Sequence, residues 1–98
     1  MKLQYNKIKD GIEEIICSVS VFRIIKEMAK SPSKQYTKYI LGKNTMLNQR
    51  DITYGLKKLI FHGWVMEEKH GRLRVYKLNI ENKILIAFME FLKKAEII

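Results

Sequence analysis

The chain has 98 residues, 47% hydrophobic and 30% charged, which fits one small folded domain with a single core and excludes a disordered or fibrous protein. Five glycines and one proline point to long helices rather than a many-turned β-sandwich. The formal charge of +9 points to a polyanionic partner, nucleic acid before an anionic membrane surface, and that charge is unevenly placed. Residues 1–30 carry six Lys/Arg against four Asp/Glu, residues 31–78 ten against three, and residues 79–98 three against three. The excess, a net +7, therefore sits in the middle of the chain.

Residues 1–9 are polar. Asp10 with Glu13 three residues later resembles a capping box, and Ile12, Ile15, Ile16, Val19, Phe22, Ile25, Met28 and Ala29 recur at helical spacing. One helix over 11–30 is expected, with Ser18 and Ser20 able to divide it, and Ser31, Pro32 and Ser33 end it. Cys17 lies in this apolar context and is expected to be a buried thiol. As a lone cysteine it cannot form an internal disulfide. Thr37 can cap a short helix holding Tyr39, Ile40 and Leu41, weakened at Gly42, with a turn over 44–47. Asn48 and Asp51 stand at N-cap and N3 spacing, so a new helix begins at Gln49. Its core stripe is Ile52, Leu56, Leu59 and Ile60, and Gly63 falls where a helix-ending glycine belongs.

The segment WVMEEKHGRLRVYKL is rich in strand formers and reads as a β-hairpin over 64–78. A two-residue turn at His70-Gly71 would set Lys69 opposite Arg72, Glu67 opposite Arg74 and Val65 opposite Tyr76. The base is apolar and the tip, KHGRLR, is cationic. A last helix over 81–96, with Asn79 as N-cap, is apolar around much of its circumference. The reading is a mainly α domain, residues 1–98, with a small β-hairpin and an additional C-terminal helix. No apolar run is long enough for a bilayer or follows the basic start as a signal peptide would, so a cytoplasmic protein is expected.

The order of helix, short helix, turn, helix and two-stranded ribbon resembles the winged helix-turn-helix transcription regulators of the MarR/ArsR-like kind, here the archaeal or archaeal-virus kind. The similarity covers roughly residues 20–80. It is carried by Asn48, Leu56, Leu59, Gly63, Trp64-Val65, Gly71 and Tyr76-Lys77-Leu78. Gly55 departs from it, standing inside the helix where a larger polar residue is common. It either lets DNA approach the backbone or is merely tolerated.

The resemblance implies a helix-turn-helix over 37–62 and a wing over 64–78. A helix entering the major groove needs donors on its outer face, and Asn48, Gln49, Arg50, Thr53, Tyr54, Lys57 and Lys58 are available. Arg50 suits guanine and Gln49 adenine, while Lys57 and Lys58 lie further along, nearer phosphate. Lys69, His70, Arg72 and Arg74 mark the wing, and Lys34, Lys38 and Lys43 flank the shorter helix as backbone contacts. Tyr36, Tyr39 and Tyr54 are read as core or groove packing rather than as a single-strand stacking platform, because no RNA-binding motif accompanies them. Double-stranded DNA is the expected partner. The alternative is a winged-helix module for protein contact, which has no need for cations on the helix and the wing tip together.

No nucleophile–base set, paired carboxylates or metal-ligand spacing is present in the sequence, so no enzyme, cofactor or metal site is expected. No residue marks an effector pocket. The last helix carries more apolar surface than so small a core can cover, so a homodimer is expected with Ile84, Phe88, Phe91 and Leu92 at its seam. The plainer possibility is that this helix folds back over its own hairpin, covering Trp64 and Val75.

Overall fold

The computed structural model describes the backbone from Lys7 and side chains from Ile12 onward. Five helices and one hairpin follow in chain order: α1 (Lys7–Ile16), α2 (Val19–Ala29), α3 (Lys38–Thr45), α4 (Gln49–Phe61), β1 (Val65–His70), β2 (Leu73–Leu78) and α5 (Lys83–Lys94). The single helix expected over 11–30 is two helices. Ser18 takes an extended backbone and its hydroxyl accepts from Val21 N–H, which starts α2 afresh. α1 also begins before residue 11, so Asp10 stands inside it, and the Asp10 side chain lies outside the described residues. Cys17 falls at this break and is exposed, against the expectation of a buried thiol.

The caps of α3 and α4 are those the sequence indicates. Thr37 accepts from Ile40 N–H, and Asn48 Oδ1 accepts from Asp51 N–H at 2.8 Å. α3 runs through Gly42 to Thr45, two residues into the turn expected over 44–47, and the buried Thr45 hydroxyl donates to the Leu41 carbonyl at 2.6 Å and accepts from Leu47 N–H. Met46 then takes the left-handed conformation, φ 64°, and turns the chain sharply into α4.

Gly55 has a role in packing rather than at DNA. It is buried where α4 crosses α2, and a Cβ there would stand 2.4 Å from Ile24 Cδ1. Ile24, Ile52, Leu56 and Leu59, all with at most 1% of their surface exposed, fill the same seam.

The hairpin register differs from expectation by two residues. Val65 pairs with Leu78, Glu67 with Tyr76, Lys69 with Arg74, and the two turn residues are Gly71 and Arg72. Gly71 alone carries positive φ, 66°, as a turn with glycine in its first central place requires. A shift of two preserves which side chains face the core, so the apolar base survives the correction. Tyr36 adds an isolated one-residue bridge on the other side of β2: its N–H and carbonyl both bond Tyr76 in antiparallel fashion.

The last helix starts later than expected, and Asn82 rather than Asn79 is its N-cap, accepting from Ile84 and Leu85 N–H. Asn79 instead donates to the Gly63 carbonyl at 2.9 Å, and Asn82 Nδ2 donates to the same oxygen. Two asparagines thus hold the α4–β1 corner beneath the root of α5. Leu85, Met89 and Leu92 enter the common core, and Phe88 packs on Trp64 with ring centres 5.5 Å apart. Leu92 is fully buried within its own chain, so it is not available to a seam between copies, and part of the apolar excess of α5 is absorbed as the plainer possibility required.

Candidate nucleic-acid interface

The outward face of α4 is set by the packing of its inner one. With Ile52, Gly55, Leu56 and Leu59 turned into the core, helical geometry leaves Gln49, Arg50, Thr53, Tyr54 and Lys57 pointing out. These five line one shallow, open concavity. Arg50 and Lys57 have no acidic group within salt-bridge distance among the described residues. Their charge is therefore free to meet an anion.

Three of the expected contact residues on this helix are partly engaged elsewhere. Asn48 spends its amide oxygen on the cap. Gln49 is exposed, but its Nε2 leans back over Gly42 and donates to the Lys38 carbonyl at 3.4 Å. Lys58 differs more sharply from expectation. Its Nζ lies 2.7 Å from Glu14 Oε2 on α1, on the flank of α4 rather than its outer face. The same carboxylate meets His62 Nε2 through its other oxygen. The hydrogen bonds from Lys58 and then His62 hold the Glu14 carboxyl below its ordinary range, and Glu14 in turn pushes the Lys58 ammonium up.

At the hairpin, Lys69, His70, Arg72 and Arg74 are all exposed. Arg74 sits 3.4 Å from Glu67, and His70 lies 3.7 Å from Glu68. Lys69 and Arg72 have no such partner among the described residues. Tyr76 anchors the wing from inside: it is 2% exposed, donates its phenol to Glu67 Oε2 at 3.0 Å, and burial followed by that carboxylate pushes its pKa up to about 12. Of the flanking lysines, Lys43 is exposed, Lys38 is half-buried, and exposed Lys34 rests its ammonium 5.0 Å from the Tyr36 ring centre.

Several large apolar side chains of the α3–α4 segment are exposed, among them Tyr39, read from the sequence as core or groove packing, and Met46 and Phe61, which sequence reasoning did not single out. Met46 is 86% exposed, Phe61 78% and Tyr39 71%. Glu14 was also missed, because nothing local ties it to a helix more than forty residues away.

Neither a family model nor a curated protein matches the chain by sequence. Solved structures match it by fold. HlyU from Vibrio cholerae, in its reduced form, is similar at a TM-score of 0.73 with 16% identity, over 90% of this chain and 87% of that one. A predicted DNA-binding transcriptional regulator from E. coli gives a TM-score of 0.72 with 15% identity, over 89% of this chain and 87% of that one. A homodimeric winged helix-turn-helix DNA-binding domain from Mycobacterium bovis, a possible ArsR-family regulator, gives 0.69 with 12% identity, over 98% and 90%. The fold is a winged helix-turn-helix. Within it α3 and α4 are the helix-turn-helix, and the β1–β2 hairpin is the wing. The isolated Tyr36–Tyr76 bridge ties the wing to the approach to α3. α5 is an additional helix packed beside Trp64 at the base of the wing.

Proposed function

We propose that this chain is a sequence-specific, double-stranded-DNA-binding transcription regulator that works as a homodimer. α4 enters the major groove, and the wing tip lies along the neighbouring backbone or minor groove. The observation that carries the reading is the placement of the cations that have no acidic partner among the described residues. Arg50 and Lys57 share one open concavity with Thr53 and Tyr54, while Lys69 and Arg72 stand at the tip of the wing. Arginine can bond guanine bidentately, threonine and tyrosine can meet base edges or sugars, and lysine at the end of the groove suits phosphate. A module built only for protein contact has no need to leave cations unpaired in both places. Lys38 and Lys43 extend the same polarity along α3, and the role of Lys58 is taken up below.

The homodimer is supported by the apolar surface left over. Phe91 is 56% exposed, Ile80 62%, Ile16 51% and Val19 66%, with Ile84 and Phe88 half-buried beside them in sequence. A homodimeric domain among the similar folds adds support. A two-fold axis through the end helices would set two copies of α4 about 34 Å apart and match an inverted repeat. No helix among the described residues is long and apolar enough to cross a membrane, which fits the cytoplasmic setting proposed here. The richness in Ile and Lys fits an AT-rich or thermophilic genome, in keeping with an archaeal or archaeal-virus source of the ArsR-like branch.

Selection of bound fragments from random duplex DNA tests the reading. An enriched inverted repeat is expected. Recovery of fragments with no shared sequence would contradict it.

A further inference from the structure

Glu14 joins the first helix to the far end of the reading helix. Its two carboxylate oxygens serve different partners: Oε2 lies 2.7 Å from Lys58 Nζ, and Oε1 meets His62 Nε2. Lys58 stands in the last turn of α4 and His62, four residues on, is its C-cap, so a single carboxylate grips the C-terminal end of one helix flank at two points. The His62 end of the grip is sheltered, its side chain 10% exposed, while Glu14 and Lys58 are open to solvent at 40% and 32%. Lys58 continues the connection outward, with its ammonium 5.7 Å from the centre of the Tyr54 ring. Tyr54 lines the open concavity of the reading face. A contiguous path thus runs from α1 through Lys58 to a side chain placed for DNA. The lowered Glu14 carboxyl and the raised Lys58 ammonium agree with this geometry.

We infer that Glu14 is a positioning residue for DNA reading: by holding Lys58 and His62 it fixes the roll of α4 about its axis and keeps Lys58 away from phosphate. Two consequences follow from that arrangement. Arg50, Thr53 and Tyr54 are presented to base edges in one orientation, which favours sequence-dependent contacts. One cation that would otherwise grip any duplex is withheld, which lowers sequence-independent binding. Both raise the ratio of specific to non-specific affinity, and neither requires the pair to add much to global stability, since exposed ion pairs contribute little. The inference rests on the proposed DNA-reading role of α4.

The test compares the full chain with Glu14→Gln and with Lys58→Met. Each is titrated against a selected duplex and a scrambled one over a range of salt, with thermal unfolding followed alongside. Glu14→Gln keeps the shape of the side chain and should fold normally. Its specific-to-non-specific ratio should fall about tenfold, the loss of roughly one base contact, and its salt slope on scrambled DNA should steepen by about 0.9 as Lys58 is freed to reach one phosphate. Lys58→Met cannot gain that phosphate, so its ratio should fall without any steeper slope. An unchanged ratio in both variants overturns the inference, as does a fall in melting temperature with the ratio intact, because that is the mark of a merely structural pair. If the wild-type chain itself does not prefer the selected duplex, the reading of α4 fails and takes the inference with it, an outcome distinct from variant-only effects.

Discussion

Arg50 and Lys57 share a helix face but should fail differently when removed. Arg50→Ala is expected to cost about 1–3 kcal/mol on the preferred duplex and little on others, because a bidentate base contact discriminates. Lys57→Ala and Arg72→Ala should weaken all duplexes alike and flatten the salt slope by about one phosphate each. Parallel titrations of preferred and scrambled duplexes read both effects, and an Arg50→Ala protein that keeps its discrimination would remove α4 from the groove. The wing has its own residue-scale test in Tyr76. Its phenol ionises near 10.0 when unperturbed and at about 12 in the folded chain. A raised tyrosine pKa means the neutral form is favoured by folding, so its stabilisation is whole below pH 10 and is lost as pH rises through about 12. Urea unfolding across that range should show the wild type losing stability relative to Tyr76→Phe. Equal slopes for the two would contradict the burial of the Tyr76 phenol, the larger cause of its raised pKa, beside Glu67. At this scale the sequence was readable where a residue bonds the backbone three positions on, as Thr37 and Asn48 do as caps. It was unreadable for Lys58 and Gln49, whose partners on α1 and α3 are brought near only by tertiary packing.

The α2–α4 crossing illustrates how an element can hide its reason. Glycine inside a helix costs about 1 kcal/mol of propensity relative to alanine, and nothing near Gly55 in the chain explains it. The explanation is Ile24 Cδ1, 2.4 Å from where a Cβ would stand. Gly55→Ala should therefore destabilise by about 1 kcal/mol despite the better helix former, since crowding a packed core costs about 1–3 kcal/mol. Ile24→Val removes that methyl and alone should cost about 0.5–1.5 kcal/mol. Together the two should cost less than their sum, and a chemical-denaturation double-mutant cycle that proves additive would refute this account of Gly55. The hairpin shows a different limit. Glycine suits either central place of a two-residue turn, so His70-Gly71 and Gly71-Arg72 were equally good locally. What selects the second is the strand base, where it pairs Val65 with Leu78. Likewise Asn79 and Asn82 both suit a cap, and the Gly63 carbonyl, which both of them bond, decides the geometry.

For the molecule as a whole, charge and apolar surface divide the labour. The net +7 of residues 31–78 lies on the helix-turn-helix and wing, and the end segments carry the exposed Ile16, Val19, Ile80 and Phe91. Sedimentation at micromolar concentration should find a dimer, and Phe91→Glu should shift it toward monomer while leaving the fold intact, because Phe91 is exposed in the single chain. A wild-type monomer would make binding to single half-sites the default. The order of elements from α3 onward and the cationic middle were legible from pattern alone, whereas the break between α1 and α2 and the burial of Leu92 were not, since periodicity shows that a helix face is apolar but not what covers it. The central claim is that free cations on α4 and the wing grip duplex phosphate while the face between them reads sequence. The most direct measurement is the affinity for a selected duplex as salt is varied. The logarithm of affinity should fall linearly with the logarithm of salt concentration, with a slope of about −0.9 per phosphate engaged. An affinity that does not change from low to moderate salt would contradict it.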